Sequence, residues 1–456
     1  VISTVAVLVR SQWHLSTSQT SWVAGSTILG AFVGAFVFGR IADLLGRKSV
    51  YALVAMIMIL GALSSAFADG FVWLTITRFI LGLGIGGDYP VSAVLMSEYA
   101  NRDDRGRLVG LVFSMQAIGL IVGPLVGLVL LSSGIGDGLV WRLLLGLGAL
   151  PAAAVVYMRL KMPESPRFEA SVKGRADLAM GNLVSFTGGA LGGETGVKPP
   201  VAAKRSPLSR LVLDRRLLLT LVATAGTWFL FDYAYYGNTI SLPAILNDVS
   251  PHATLITKLA WSLVMFVVFA VPGYLLAITK MDRIGHRRLQ LIGFCVMAVC
   301  FLALGAIPQL TSTVAAFVAI FGLSYFFVEF GPNTTTFVLP SELFPVSLRT
   351  TGHGMSAGIG KLGAFIGVFL VPGLESALGL RGLLLVACAS AVAGYLLTLV
   401  LPEPARRSLE ELETLGEQNA TRAPVAVLVA PGPEPGVIGP TTPHTPRLRR
   451  SAKTAS

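Results

Sequence analysis

Apolar runs of about twenty residues recur along this chain, and they limit its fold more than any other feature. As a helix, such a run spans the roughly 30 Å hydrocarbon core of a bilayer. Short polar stretches separate the runs. Helices are expected near 18–42, 48–68, 71–98, 107–132, 139–160, 216–245, 256–280, 288–307, 312–340, 347–373 and 377–401, about eleven full spans. A helix satisfies its own backbone groups inside lipid, so the expected class is an all-α polytopic membrane protein. Composition points the same way. Charged residues are 13% of the 456 and hydrophobic residues 54%, against about 25% charged in a soluble domain. That deficit excludes an ordinary cytoplasmic enzyme, a disordered regulator and a nucleic-acid binder. The formal charge of +11 then reflects basic loops on one side of a membrane. Cys295, Cys300 and Cys388 lie in apolar runs, so neither a disulfide framework nor a metal site is expected.

Val1–Val9 is apolar but too short to span. It reads as the tail of a twelfth helix whose start lies before this sequence. Loop charge sets the expected orientation. Arg47 and Lys48, then Arg102, Arg105 and Arg107, then the 161–215 segment fall on alternate loops, as do Lys280, Arg283, Arg287 and Arg288, then Arg349, then Arg406 and Arg407. The intervening loops carry Asp69, Asp137 and Lys258. The excess of Lys and Arg on one set of loops puts the 161–215 loop and the C-terminus in the cytoplasm of a multi-pass protein of the plasma (inner) membrane. The expected organisation is a transmembrane half at 1–160, a cytoplasmic loop at 161–215, a second transmembrane half at 216–401 and a disordered tail at 402–456. The glycines at 188–193 and Lys198-Pro199-Pro200 read as linker. The basic end of the tail, Arg447, Arg449 and Arg450, suits non-specific attraction to anionic lipid.

The two halves repeat. Asp43-Leu-Leu-Gly46-Arg47-Lys48 has a counterpart in Asp282-Arg-Ile-Gly285-His286-Arg287, 239 positions later. Glu98 and Arg105 are seven apart, as are Glu342 and Arg349; Pro163-Glu164 is matched by Pro402-Glu403. Paired motifs in the same order imply two six-helix halves rocking about a central site. Asp43 at a helix end can pair with Arg105 or with a helix N-terminus of the opposite half. The set Asp43, Arg47, Glu98, Arg105, Asp282, Glu342 and Arg349 is therefore expected to hold one gate shut, or else forms a solvated, topogenic cluster. The Gly-x-x-x-Asp-x-x-Gly-Arg-Lys pattern at 39–48 resembles the loop signature of the major facilitator superfamily, and the resemblance runs over nearly the whole chain.

Ionisable groups inside the spans come next, because they are costly there. Asp88 in Gly86-Gly87-Asp88-Tyr89-Pro90 sits ten residues before Glu98, roughly 15 Å along the helix. A carboxylate at that depth costs at least about 2.5 kcal/mol, so it is expected to face the bundle interior, as a proton carrier or as a structural hydrogen-bonded acid. Trp228, Asp232 and Tyr236 recur every four residues on one helix face. Tyr233 and Tyr235 then point elsewhere, toward lipid or packing. Asn333 follows Gly331-Pro332 in mid-helix, and Glu329 is a second-rank candidate nearby. Gln116 and Lys361 occupy nearly matching points of the two halves and can face one cavity.

Several of these residues fall in longer strings. Residues 86–101 (Gly-Gly-Asp-Tyr-Pro-Val-Ser-Ala-Val-Leu-Met-Ser-Glu-Tyr-Ala-Asn) and 114–119 (Ser-Met-Gln-Ala-Ile-Gly) resemble the signature of phosphate:proton symporters. So do 330–337 (Phe-Gly-Pro-Asn-Thr-Thr-Thr-Phe), Pro340-x-Glu342-Leu-Phe-Pro345, 349–357 and 360–364. The resemblance implies a major facilitator fold that imports inorganic phosphate with protons by alternating access. It implies that Tyr89, Gln116, Trp228, Asp232, Tyr236 and Asn333 hold phosphate, and that Asp88, Asp232 and Lys361 take part in proton coupling. The family's pair of helix-one aspartates would fall before Val1.

Trp, Tyr, Gln, Asn and Lys supply the donors an anion needs in a dry cavity. Asp232 suits phosphate, whose O–H it can accept, and disfavours sulfate, which has none. A carrier for another solute such as a sugar or organic acid, a nutrient sensor, or an inactive truncated remnant are the alternatives. No nucleotide-binding loop and no nucleophile–base or metal-ligand cluster occurs in the sequence, so no cofactor, ATP-driven pump or enzyme is expected.

Overall fold

The structure, a computed structural model, describes residues 1–186, 207–240, 242–409 and 411–412. Among these, every regular element is helical. The first part of the chain forms α1 (Ile2–Trp13), α2 (Thr17–Leu45), α3 (Arg47–Ala66), α4 (Phe71–Tyr99), α5 (Arg105–Ser132), α6 (Asp137–Gly146) and α7 (Ala149–Lys161). Short helices follow: α8 (Pro166–Ser171), α9 (Ala176–Phe186) and α10 (Arg210–Leu213). The second part forms α11 (Arg215–Ile240), α12 (Leu242–Val249), α13 (Leu255–Met265), α14 (Val271–Ile284), α15 (His286–Ala306), α16 (Val314–Val328), α17 (Thr334–Leu343) and α18 (Arg349–Thr398).

Ten stretches among the described residues are long and apolar enough to cross a membrane. The fifty-residue α18 breaks at Gly379, whose φ of 67° and ψ of 172° are not helical. It therefore supplies two crossings, which accounts for the eleven expected spans. Four expected helices differ in detail: a π-helical turn at 266–270 interrupts the 256–280 run between α13 and α14, and another at 329–333 interrupts the 312–340 run between α16 and α17. The 139–160 run is divided between α6 and α7, and the 216–245 run ends as α11 at Ile240, with α12 beginning at Leu242. Residues 2–13 are helical, as the apolar start of the chain suggested, and α1 buries Val5, Leu8 and Val9. The glycine-rich and Lys-Pro-Pro linker segments, and most of the tail, lie outside the described residues.

Local chemistry explains the element ends. Ser16 and Gln19 form a reciprocal capping box that starts α2. The turn from α2 to α3 passes through Gly46 at φ 119°, and the equivalent turn from α14 to α15 passes through Gly285 at φ 103°. Side chains rarely adopt such angles, so both copies of the repeat need glycine there. The two parts meet along α2 against α18 and along α5 against α13 and α14. Small residues permit the first contact. A Cβ on Gly39 would lie 2.9 Å from the carbonyl oxygen of Thr350 and 3.1 Å from the Cα of Gly354.

That close approach is testable. Gly39→Leu overpacks the α2–α18 contact and is expected to destabilise the protein by about 1–3 kcal/mol, read as a lower thermal midpoint in detergent. Gly373→Leu, where nothing lies within 4 Å, should leave the midpoint in place. Equal midpoints for both variants would contradict the tight contact.

Candidate functional site: a central cavity and a charged end

The α11 stripe is built as its spacing demands: Trp228 and Asp232 are buried on one face, and Tyr236 follows one turn on. Opposite them, α18 carries Lys361 between Gly360 and Gly363. A Cβ at Gly360 would meet the Trp228 ring at 2.5 Å, so the glycine lets the two helices close together. Lys361 Nζ donates to Asp232 Oδ2 at 2.9 Å and to the Tyr236 hydroxyl at 3.1 Å. The same ammonium lies 4.7 Å from the Tyr89 ring centroid and 4.3 Å from that of Tyr236. Cation–π attraction of this kind grows when the cation is desolvated. Side-chain exposure is 5% for Lys361 and 1% for Asp232, so each charge depends on the other. Asp232 Oδ1 makes no hydrogen bond of standard geometry among the described residues.

Aromatic rings wall this pair. Tyr89 packs on Phe113 and Phe337, and Trp228 packs edge-on against His353. A cavity of about 190 Å³ adjoins the pair, lined by Gln116, Tyr235, Tyr236 and Thr239 among others. The carbonyl oxygen of Gln116 is buried without a partner among the described residues. Tyr89, Trp228, Asp232, Tyr236 and Lys361 are thus brought together, and Gln116 meets Tyr236 at the cavity wall.

Three expectations need correction. Asp88 does not face the central cavity. It pairs with Arg159 of α7, whose guanidinium also stacks 3.9 Å from the Tyr51 ring centroid. Its side chain is 24% exposed, and the nearby cation offsets the cost that would have forced it inward. Tyr235 takes packing rather than lipid of the two surroundings open to it, but it has a polar role besides: it is buried, lines the cavity and donates to Glu329 at 2.9 Å. Asn333 does not reach the Lys361 pair. It donates to Tyr274 at 2.8 Å and also to Glu329. The Gly331-Pro332 break is real: residues 329–333 form a π-helical turn with Gly331 at φ −113° and ψ −106°.

At one end of the bundle the repeated charges interlock. Asp43 accepts from the backbone N–H groups of Thr350 and Thr351, at 3.3 and 2.6 Å, at the N-terminus of α18. Asp282 accepts from those of Gly106 and Arg107, at 3.0 and 2.7 Å, at the N-terminus of α5. Unpaired N–H groups and the helix dipole favour a carboxylate there. Of the two partners open to Asp43, the helix N-terminus is the one it takes, together with Arg47 at 3.1 Å. Glu98 receives Arg47 at 3.2 Å and Arg349 at 3.5 Å. Glu342 receives Arg105 at 2.8 Å and His286 at 3.1 Å. Each glutamate therefore ties a cation of its own half to one of the opposite half.

The Pro-Glu repeat, which its position in the sequence left without a role, supports the charged end. Glu164 accepts from the backbone N–H of Arg47 and Lys48 at the start of α3. Glu403 accepts from those of His286 and Arg287 at the start of α15. Burial pushes the Glu164 carboxyl above the usual carboxylate range, opposed by these donors and by Arg47. The 239-residue offset was the signal, since a motif repeated together with the Asp-x-x-Gly motif can share its surroundings. Nothing in the sequence pointed to Tyr274 or His353, whose places depend on packing.

Residues 3–415 match the sugar (and other) transporter family. The chain is 36% identical over 489 residues to the low affinity inorganic phosphate transporter 4 of Petunia hybrida, covering 95% of this chain and 92% of the relative. It is 34% identical over 452 residues to the probable inorganic phosphate transporter 1-6 of Arabidopsis thaliana, covering 89% and 86%. The fold is similar to that of the proton:xylose symporter XylE, with a TM-score of 0.76, 20% identity, and 91% and 93% of the two chains covered. The human organic anion transporter MFSD10 is similar at a TM-score of 0.62 and 14% identity, with 87% and 89% covered. This chain is therefore a multi-pass membrane protein of the major facilitator superfamily, in the branch of the sugar (and other) transporter family that holds inorganic phosphate transporters.

Proposed function

We propose that this protein imports inorganic phosphate together with protons across the plasma membrane by alternating access, with its C-terminus in the cytoplasm. The observation that carries the reading is the buried Lys361–Asp232–Tyr236 group beside Trp228 and Tyr89, in a chain whose relatives are named phosphate transporters. Lys361 offers charge to an anionic phosphate oxygen. Asp232 can accept a phosphate O–H, which sulfate lacks. Tyr89, Gln116, Trp228 and Tyr236 supply further donors. Asn333 joins them only after exchanging its bonds to Glu329 and Tyr274. In the empty site Lys361 neutralises Asp232. An arriving anion competes for Lys361, so Asp232 then needs a proton, and anion and proton are bound together. Asp88, paired with Arg159, is a proton stop off the central cavity.

The seven charged-end residues act as the cytoplasmic gate, which their contacts across the two parts support. Residues 1–160 and 216–401 are the halves that rock about the cavity, joined by 161–215 and followed by the tail at 402–456. No cofactor or nucleic acid enters this cycle; its partners are phosphate, protons and the bilayer.

Radiolabelled phosphate uptake into proteoliposomes tests the reading directly. Uptake is expected to rise with an inward proton gradient and to resist excess sulfate. Gradient-independent uptake would remove proton coupling, and absent uptake would remove phosphate. Asp232→Asn should lower uptake about 10-fold to 100-fold and narrow the preference over sulfate, the loss of a charge-assisted bond worth roughly 1.5–3 kcal/mol. Unchanged preference would contradict the role of Asp232. Glu342→Gln removes the carboxylate shared by Arg105 and His286, and breaking a buried pair costs about 3–5 kcal/mol. In that background, a cysteine at the buried Ser97 should react with a membrane-impermeant maleimide at least about tenfold faster. An unchanged labelling rate would show that the cluster does not hold the gate.

A further inference from the structure

Six carboxylates among the described residues are buried: Asp43, Glu98, Glu169, Asp232, Glu329 and Glu342. Five of them form ion pairs with Arg47, Lys173, Lys361 or Arg105. Glu329 forms none among the described residues. It is fully buried and opens the π-helical turn between α16 and α17.

The groups facing Glu329 are neutral. Tyr235 of α11 donates to Oε1 at 2.9 Å. Asn333, on the same turn, donates to Oε2. Tyr274 of α14 stands beside the same carboxyl and accepts from Asn333 at 2.8 Å. Tyr325 of α16 lies near it and bonds Thr239 of α11 at 2.6 Å. From α15 the backbone of Gly293 packs against the turn at Pro332, and Gln290 bonds Thr335 of α17 at 2.9 Å. The Asp232–Lys361 pair lies one residue away through Tyr236, whose ring stands 5.4 Å from that of Tyr235, edge-on.

An ionised carboxylate held inside a membrane without a cation costs several kcal/mol, whereas a protonated one does not. Two donors, Tyr235 and Asn333, nonetheless converge on this group, which can hold the ionised form for part of a cycle. Tyr235 also lines the central cavity, so one side chain touches both that cavity and the carboxyl. We propose that Glu329 is a second proton-binding site of the transport cycle, loaded from the cavity through the hydroxyl of Tyr235. In loading, Tyr235 gives its hydroxyl proton to Oε1 and takes one from the cavity side. The phenol ends neutral and Glu329 ends as the neutral acid; unloading runs the same two transfers backward. The site rests on the proton-coupled reading above. It differs from Asp232 in having no cation to replace the proton, so its occupancy follows acidity rather than the arrival of phosphate.

The test is the number of protons entering per phosphate, measured with a pH-sensitive dye sealed in proteoliposomes beside labelled phosphate. The ratio does not depend on how many copies are active. Wild type is expected to carry protons with phosphate, and wild-type phosphate flux without protons would overturn the parent reading itself. Glu329→Gln, which keeps the shape and a hydrogen-bonding head, should lose a proton per phosphate and flatten the dependence of uptake on external pH. Glu329→Asp should retain the wild-type ratio. A purely structural role would lower flux in Glu329→Gln while leaving both the ratio and the pH profile as in wild type, and that result overturns the proposal. Should Glu329→Gln fail to reconstitute, Tyr235→Phe is read in the same assay. It cuts the link to the cavity and should lower the ratio, and a wild-type ratio there overturns the proposal equally.

Discussion

Two buried glutamates, Glu98 and Glu342, each gather cations from both halves of the chain at one end of the bundle. A charge removed from water is costly unless paired, so neither glutamate nor its arginines can remain in place if the halves part. The neighbouring aspartates add a second tie of the same kind. Asp43 spans to the first turn of α18, and Asp282 spans to the first turn of α5. Each contact uses groups that are unsatisfied by construction: the free N–H groups of a helix start. These ties join the two parts of the chain at this end, and each of their groups would need another partner, such as water, if the contacts were broken.

The same duplication places the pieces that support the cluster. Gly46 and Gly285 make the tight turns, and Glu164 and Glu403 cap the helices that follow them. The copies are not identical. Arg47 of the first copy is replaced by His286 in the second, and both donate to the glutamate of their own half. Symmetry of the charged end thus survives a change of cation, because the glutamate fixes the geometry. The central cavity breaks the symmetry instead. Its ion pair, Asp232 with Lys361, comes wholly from the second part of the chain, while the first part contributes the Tyr89 ring and the Gln116 amide.

Much of this was legible in the residues. Helical crossings follow from the length of apolar runs, and the charged end follows from motifs repeated at nearly constant offset. Trp228, Asp232 and Tyr236 were placed on one face by their spacing alone. Where the reading went astray, a partner from a distant part of the chain was the cause. The depth of Asp88 suggested an inward-facing acid, but Arg159, seventy-one residues later, stabilises it at the side of the bundle. Tyr235 looked like packing because the face of α11 next to the stripe has no sequence mark, yet Glu329 from α16–α17 meets it. Asn333 was singled out by the Gly-Pro break, and the break is present, but the amide is turned to Tyr274.

Local sequence carries the number and class of the helices, the duplication, and the identity of most charged-end residues. These are properties of local period, charge and backbone freedom, which neighbouring residues carry. The tertiary structure decided which carboxylate each cation serves, that Asp88 lies off the cavity, and that Glu329 is the buried acid without a cation among the described residues. Those outcomes depend on distances between residues far apart in the chain, and the energy of a buried charge depends on those distances rather than on its place in the sequence.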